Sequence, residues 1–372
     1  MPDLTERKKC TGCTACAAVC PKGCITMQAD ENGFPHPKID ERACVHCGLC
    51  ETTCPMHSPV PVAMTLPTAY AAYTRDEAVR RSSSSGGVFT ELAKVVLAAG
   101  GIVYGAAYDE TLRVVHRGVE DENRLSALRG AKYAQSDLGD SFVKIRAALQ
   151  TGRTVLFSGT PCQVTGLKSF LKKDYERLIT VDFVCHSVPS PMAWEKFLAS
   201  LGQVRSINLR AKDTGWSRYG YCHKVQTEQE VRLIPGGQSD YMKLFVNGCI
   251  SREACQTCPF KGYHRCSDIT LGDFWGIWNV APEMDDDKGT SVVLCQSERG
   301  KSLLRQLEGR LRWKQVPLEQ AAMENQAMLQ TSPVHPQRER VLEHLRKGGS
   351  FAMPKPSGKL WQRVRNLLGI KR

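Results

Sequence analysis

Two copies of one cysteine pattern stand at the start of this 372-residue chain, and they restrict its fold more tightly than any other feature. "CTGCTACAAVCP" covers residues 10–21 and "CVHCGLCETTCP" covers 44–55. Both read C-x2-C-x2-C-x3-C-P. Three thiolates on so tight a loop hold three irons of a cubane. The fourth cysteine starts a short helix, points the other way and serves the partner cubane. The expected ligand sets are Cys10, Cys13, Cys16 and Cys54 for one [4Fe-4S] cluster, and Cys44, Cys47, Cys50 and Cys20 for the other. Zinc knuckles or structural cysteines would account for neither the doubling nor the two prolines. Cys24 falls outside the pattern and reads as a buried bystander. Between the runs, "CITMQADENGFPHPKID" reads as a strand, a turn at Asn32-Gly33 and a second strand.

This front stretch, residues 5–56, resembles the bacterial two-[4Fe-4S] ferredoxin domain, a small α+β unit. Such clusters carry single electrons at low potential and have no substrate chemistry of their own, so an acceptor site is expected further along. The chain is 42% hydrophobic with a mean hydropathy of −0.31, as globular proteins are, and no apolar run reaches the ~18 residues of a membrane span. It opens on "MPDLTERKKC", charged and without an apolar signal core. Its seventeen cysteines therefore point to metal or redox chemistry in the cytoplasm rather than to secreted disulfides.

Net charge is +12, of which +8 falls between Arg338 and Arg372, where ten basic residues meet two acids. Basic residues are not interleaved with aromatics, so nucleic acid is not expected as a partner. In "KLWQRVRNLLGIKR", residues 359–372, Leu360, Trp361, Val364, Leu367 and Leu368 share a helical face bordered by basic residues. That face suits an anionic membrane surface, at the inner face of the membrane, or the protein's own body.

Residues 57–67 read as a proline-rich linker, 68–335 as a larger domain and 336–372 as a basic tail. In "RRSSSSGGVFTELAKVVLAAGG" a helical stripe begins at Val88, with Ser84 or Ser85 as its cap. "GIVYGAAY" and "LRVVHRGV" read as paired strands and 136–152 as a helix. "TVLFSGTPCQVTGLKSFL" and "LITVDFVCHSVPS" form a strand–helix–strand unit, so a parallel pair is expected, with ligands beyond the strands' carboxyl ends. Cys162 and Cys185-His186 lie there. A helix start lowers a thiol's pKa, so Cys162 reads as either a nucleophile or a metal ligand. "CISREACQTCPFKGYHRC" adds a third cysteine group. Its ligand set is either local, Cys249, Cys255, Cys258 and Cys266, or drawn across the fold from Cys162, Cys185, Cys255 and Cys258. Spacing leaves both open.

Five stretches in this order, "SSSSGGVFTELA", "GAKYAQS", "SGTPCQVTGLKSFL", "VDFVCHSVPSP" and "CQTCPF…RCSDITLGDFWG", resemble the beta-subunit family of coenzyme F420 hydrogenase/dehydrogenase over roughly residues 68–330. The family includes flavin iron–sulfur reductases and bacterial members associated with surface-polysaccharide genes. The resemblance implies an α/β domain with a mixed, partly parallel sheet, FAD, and a third [4Fe-4S] cluster on Cys162, Cys185, Cys255 and Cys258. It makes Ser83, Ser84, Ser85, Gly86, Gly87, Lys132, Tyr133, Gln135, Ser136, Gly159, Thr160 and Gln163 candidates for the flavin site. His186, beside Cys185, reads as either a proton donor or a structural histidine, and Asp273 and Trp275 of "GDFWG" as either shaping the pocket or packing. The function the resemblance implies is an oxidoreductase that takes electrons from a ferredoxin-type donor or coenzyme F420 and passes them to a small molecule, in polysaccharide or cell-envelope biosynthesis. An electron-transfer subunit of a larger complex is the alternative. A Cys162–His186 acyl-transfer dyad would leave the eight front cysteines idle.

Overall fold

The computed structural model describes residues 4–62, 64–217 and 220–352, so the helix expected at 359–372 lies outside the described residues. The front consists of α1 (Ala15–Val19), β1 (Ile25–Ala29), β2 (Pro35–Ile39) and α2 (Leu49–Thr53). β1 and β2 pair antiparallel, with Ile25 opposite Ile39. The Asp30 carboxylate shapes their turn by accepting from the amides of Asn32 and Phe34. Each short helix begins just before the third cysteine of its run and ends at the fourth, Cys20 or Cys54, rather than starting there.

The body runs β3 (Thr68–Thr74), α3 (Glu77–Ser82), α4 (Val88–Ala98), β4 (Ile102–Tyr108), β5 (Val114–Val119), α5 (Ser141–Gln150), β6 (Val155–Ser158), α6 (Pro161–Leu171), β7 (Leu178–Phe183), α7 (Pro191–Ser200), β8 (Val204–Ala211), β9 (Cys222–Thr227), β10 (Val231–Pro235), α8 (Asp240–Val246), β11 (Ile269–Asp273), α9 (Ile277–Val280), β12 (Ser291–Cys295), α10 (Glu298–Arg305), β13 (Leu311–Val316), α11 (Leu318–Met323) and α12 (Arg338–Arg346). Eight strands make one mixed sheet in the order β13-β3-β12-β11-β7-β6-β4-β5. The inner four are parallel and the outer pairings antiparallel. β8, β9 and β10 form a separate antiparallel sheet.

Alternation along the strands gives the large sheet two apolar faces. Val103 and Leu156 join Leu92 and Val96 of α4 and Leu304 of α10, whereas Ile102, Val155 and Phe157 join Phe142 of α5 and Leu167 of α6. α4 starts differently from the expectation. Its cap is Gly87, at φ 82°, and no serine hydroxyl caps it. α6 starts as "TPCQ" suggests: the Thr160 hydroxyl accepts from the Gln163 amide, the Gln163 side chain accepts from the Thr160 amide, and Pro161 takes the first turn. α12 falls inside the stretch read as tail, yet it buries Val341, Leu342 and Leu345 in the body's second core.

The front is fastened to the body by buried polar contacts. The Arg252 guanidinium donates to the carbonyls of Cys10 and Pro35 and to the Gln135 side chain, at 2.6, 2.9 and 2.9 Å. Gly12 leaves room for this. A Cβ there would stand 2.7 Å from the Gln135 amide nitrogen and 3.0 Å from Arg252, and its φ of 69° suits glycine. Ser190, which caps α7, also donates to the Asn32 carbonyl, and Ser169 of α6 donates to the Thr53 carbonyl.

Candidate metal centres

The eight front cysteines separate into the two expected sets. Cys10, Cys13, Cys16 and Cys54 line one hollow. Cys20, Cys44, Cys47 and Cys50 line a second. We call these the inner and outer sets. Cys24 also lines the outer cavity, with its sulfur 3.3 Å from that of Cys20, so it is less remote than a bystander. No three Cys, His, Asp or Glu side chains among the described residues close on one point as ligands of a lone metal ion would. Zinc draws its sulfurs to about 2.3 Å. Thiols spread around a wider space fit a multi-iron cubane instead.

Electrostatics around the inner set are mixed. Burial alone would raise the Cys10 thiol, but His36 and the Arg252 guanidinium outweigh it and lower its pKa. His36 is in turn held by Asp30 at 3.2 Å. Cys13, buried beside Cys10 and Cys54, is pushed up to about 11.

Cys162, Cys185, Cys255 and Cys258 come together from three places in the chain. Cys162 lies in the first turn of α6, Cys185 follows β7, and Cys255 and Cys258 stand at the end of a turn before β11. Burial, then the nearby thiols of Cys258, Cys185 and Cys255, drive the Cys162 pKa well above its ordinary value. Cys185 rises to about 12 and Cys255 to about 11, with burial the leading cause. The lowered pKa expected from the helix start is therefore overturned, because desolvation and like neighbours exceed the helix dipole. Thiols in this setting ionise when a cation enters among them.

Lys261 and Arg265 supply positive charge beside this set. Lys261 donates to the carbonyls of Cys185 and Ala327, and Arg265 lies 3.5 Å from the buried Asp182. Both basic residues sit within "CPFKGYHRC", where the sequence could have disclosed them. Cys249 and Cys266 lie elsewhere. Cys249 is wholly buried in the core under α7 and α8, and the Cys266 sulfur is 3.3 Å from the Thr165 hydroxyl on α6.

The residues expected to hold a flavin do not form one site. The Ser83 and Ser85 hydroxyls donate to the carbonyls of Val79 and Thr290, and the Gly86 amide donates to Ser291. Gln135 donates to the Thr11 carbonyl and accepts from Arg252, so it belongs to the junction with the front. Gln163 donates to Ser136 and completes the α6 cap next to Gly159 and Thr160. Lys132 donates to the carbonyls of Ala127 and Arg129, and burial lowers its pKa to about 7. His186 packs edge-on against Phe245, and its Nε2 donates to the Val246 carbonyl at 3.0 Å. Among the described hydrogen bonds none joins it to Cys162.

A patch at the carboxyl end of β11 was only partly foreseen. Asp273 ends that strand and accepts from Arg210 at 3.0 Å. The Arg210 guanidinium lies over the rings of Tyr221 and Trp275, at 4.1 and 5.1 Å, and its buried Nε has no partner among the described residues. Trp216 stacks on Trp275 at 5.2 Å and donates to the Ser84 carbonyl, while Lys212 donates to that of Ser85. These contacts tie the Ser83–Gly87 turn to the patch. Tyr133 feels Arg210 and Asp273, which brings it to the same neighbourhood.

Residues 9–58 match the family model for a 4Fe-4S dicluster domain, and residues 152–320 match that for the C terminus of the coenzyme F420 hydrogenase/dehydrogenase beta subunit. NADH-quinone oxidoreductase subunit I of Pelobacter propionicus is 44% identical over 55 residues, 13% of this chain and 30% of that protein. An uncharacterised ferredoxin of Methanocaldococcus jannaschii is 38% identical over 55 residues, 15% of this chain and 70% of that one. The chain thus spans less than a third of the Pelobacter relative's length. A chain of the F420-reducing [NiFe] hydrogenase complex from Methanosarcina barkeri superposes with a TM-score of 0.48 and 18% identity, over 76% of this chain and 88% of that one. The chain thus carries a dicluster iron–sulfur domain at its front and, over residues 152–320, the C-terminal domain of the coenzyme F420 hydrogenase/dehydrogenase beta-subunit family.

Proposed function

We propose that the protein is an FAD-dependent oxidoreductase with three [4Fe-4S] clusters. It takes single electrons from a ferredoxin-type donor or coenzyme F420 and delivers them in pairs to a small molecule. The convergence of Cys162, Cys185, Cys255 and Cys258 beyond the parallel strands carries this reading, because a third metal centre there would link the front to the ligand edge of the sheet. Arg210, Lys212, Tyr133, Trp275 and the Ser83–Gly87 turn would hold the flavin. The unpartnered Arg210 Nε supports this, as a buried guanidinium lacking one partner suits an anionic or carbonyl-bearing ligand. FAD, when bound, would convert one-electron supply into a two-electron step. Asp273 fixes the Arg210 guanidinium, and the stacked Trp216 and Trp275 exclude water beside it.

The first prediction tests this directly. Protein reconstituted anaerobically with iron, sulfide and FAD should hold about 12 irons per chain and release FAD on denaturation. Arg210→Met should lose most of the FAD and keep the iron. Absence of flavin from the unmutated protein would sink the flavin reading, and iron near two clusters' worth would sink the third centre. The substrate screen of first choice is envelope saccharide precursors with reduced ferredoxin as donor. A native mass showing a stable larger assembly would favour the electron-transfer-subunit reading that the family name suggests.

A further inference from the structure

One contact between front and body joins a thiol of the inner set to the helix that bears Cys162. Cys13 packs against α6 at Gly166. A Cβ on that glycine would stand 2.9 Å from the Cys13 Cβ and 3.0 Å from its sulfur. Gly166 is buried in mid-helix and has no left-handed φ, so neither a turn nor a cap calls for glycine. Glycine there costs the helix about 1 kcal/mol relative to alanine. Close approach is what remains to explain it. Cys162 stands about one helical turn before Gly166 on the same helix. Cys13 shares its apolar cluster with Val164 and Leu167 of α6, so the contact is dry.

The outer set is placed the other way. Cys47 is exposed and Val45 beside it is 54% exposed, so that set faces solvent. The two front sets thus have different neighbours, one a helix of the body and the other water.

We infer that electrons enter the front at the outer set and leave it at Cys13, crossing to the Cys162 set where Gly166 brings the two together. The inference rests on the iron–sulfur reading above. With a cluster on each set, every step would move one electron: a reduced carrier of ferredoxin type would be oxidised at the outer set, and the cluster on the Cys162 set would take one electron from that on the inner set. No bond is made or broken and no proton moves. Gly166 is a positioning residue, since its missing side chain sets the separation.

The second prediction is its test, on the full-length reconstituted chain reduced with dithionite. In the unmutated protein, pulsed EPR should find the Cys162-set spin coupled more strongly to the inner set than to the outer. Gly166→Leu should keep the iron and lose that coupling, and reduction of the Cys162 set by reduced ferredoxin should slow with it. Gly166→Ala, which favours the helix, should weaken the coupling by a smaller amount. Ser169→Ala removes a hydrogen bond to the front from the same helix and should change neither readout, so a general loosening of the junction is told apart from a change at the contact. Unaltered coupling in an iron-replete Gly166→Leu protein, or stronger coupling to the outer set in the unmutated chain, overturns the route and leaves the cluster reading intact. Iron short of three clusters in the unmutated protein overturns both.

Discussion

Inside the front, Cys24, Ile25 and Cys50 are packed together, ringed by Leu4, Cys16, Ala17, Cys20, Ile39 and Cys44. Inside the body, leucine, valine, isoleucine and phenylalanine fill both faces of an eight-stranded sheet. Five of those nine side chains are cysteines, and a unit of that size buries little apolar surface with which to fold unaided. Its folding free energy has to come from metal binding, as in other small metallo-domains. The body needs no such help. Its thiol set lies at the carboxyl edge of a sheet whose two cores are already complete. Thiols make up much of the interior in one half and sit beside finished cores in the other.

The largest effect that would break this comparison is iron removal. Chelation should abolish hydrogen-exchange protection across residues 9–58 and leave the sheet from β3 to β13 protected, with a cooperative thermal transition. A front that kept its protection without iron would show that its apolar contacts suffice.

An intermediate effect sharpens the boundary between the halves. Arg252 is 2% exposed and all three of its acceptors described above belong to the junction. Arg252→Met leaves those acceptors buried and unpaired, at a cost of about 3 kcal/mol. The loss should show as faster exchange at the amides around Cys10 and Gly12 in the iron-loaded protein, with the body's transition unmoved. A shift of the body's transition instead would mean that the two halves unfold as one.

The smallest effect concerns the body's own surface. Lys314 and Glu283 pair at 2.6 Å with both side chains roughly half exposed. Glu283→Gln should leave the midpoint of a denaturant melt essentially where it is. A clearly lower midpoint would show that the body depends on surface charge as the front depends on iron.

The front was legible because its ligands are local: the spacing around Cys10 and Cys44 states both sets without help from the rest of the fold. The Cys162 set was not legible from spacing. Its members come from a helix start, the end of a strand and a turn far apart in sequence, and resemblance alone favoured them over Cys249 and Cys266. The strand–helix–strand unit at 154–190 could be read from continuous apolar runs and from the "TPCQ" start of α6. The α4 cap could not, since the choice between Ser85 and Gly87 depends on a backbone angle that composition does not state. Arg252 gave no signal at all. Two of its acceptors are backbone carbonyls more than two hundred residues away in sequence, and carbonyls carry no side-chain identity. Gln135 was noticed for the right stretch but assigned to a flavin, because its true neighbour, Thr11, becomes visible only when the front is docked.

The spread of the Cys162 set along the chain also dictates an order of synthesis. All eight cysteines of the front's two sets have been made once Cys54 is added, before the first strand of the large sheet exists. Cys162 and Cys185 follow, and then wait through β8, β9, β10 and α8 for Cys255 and Cys258. β3, made first among the sheet's strands, waits longer still, because both strands it pairs with, β12 and β13, come near the end. Ribosomes release the N-terminal part first. The front's thiols are therefore complete on the nascent chain while the body, and with it the Cys162 set, is still unfinished.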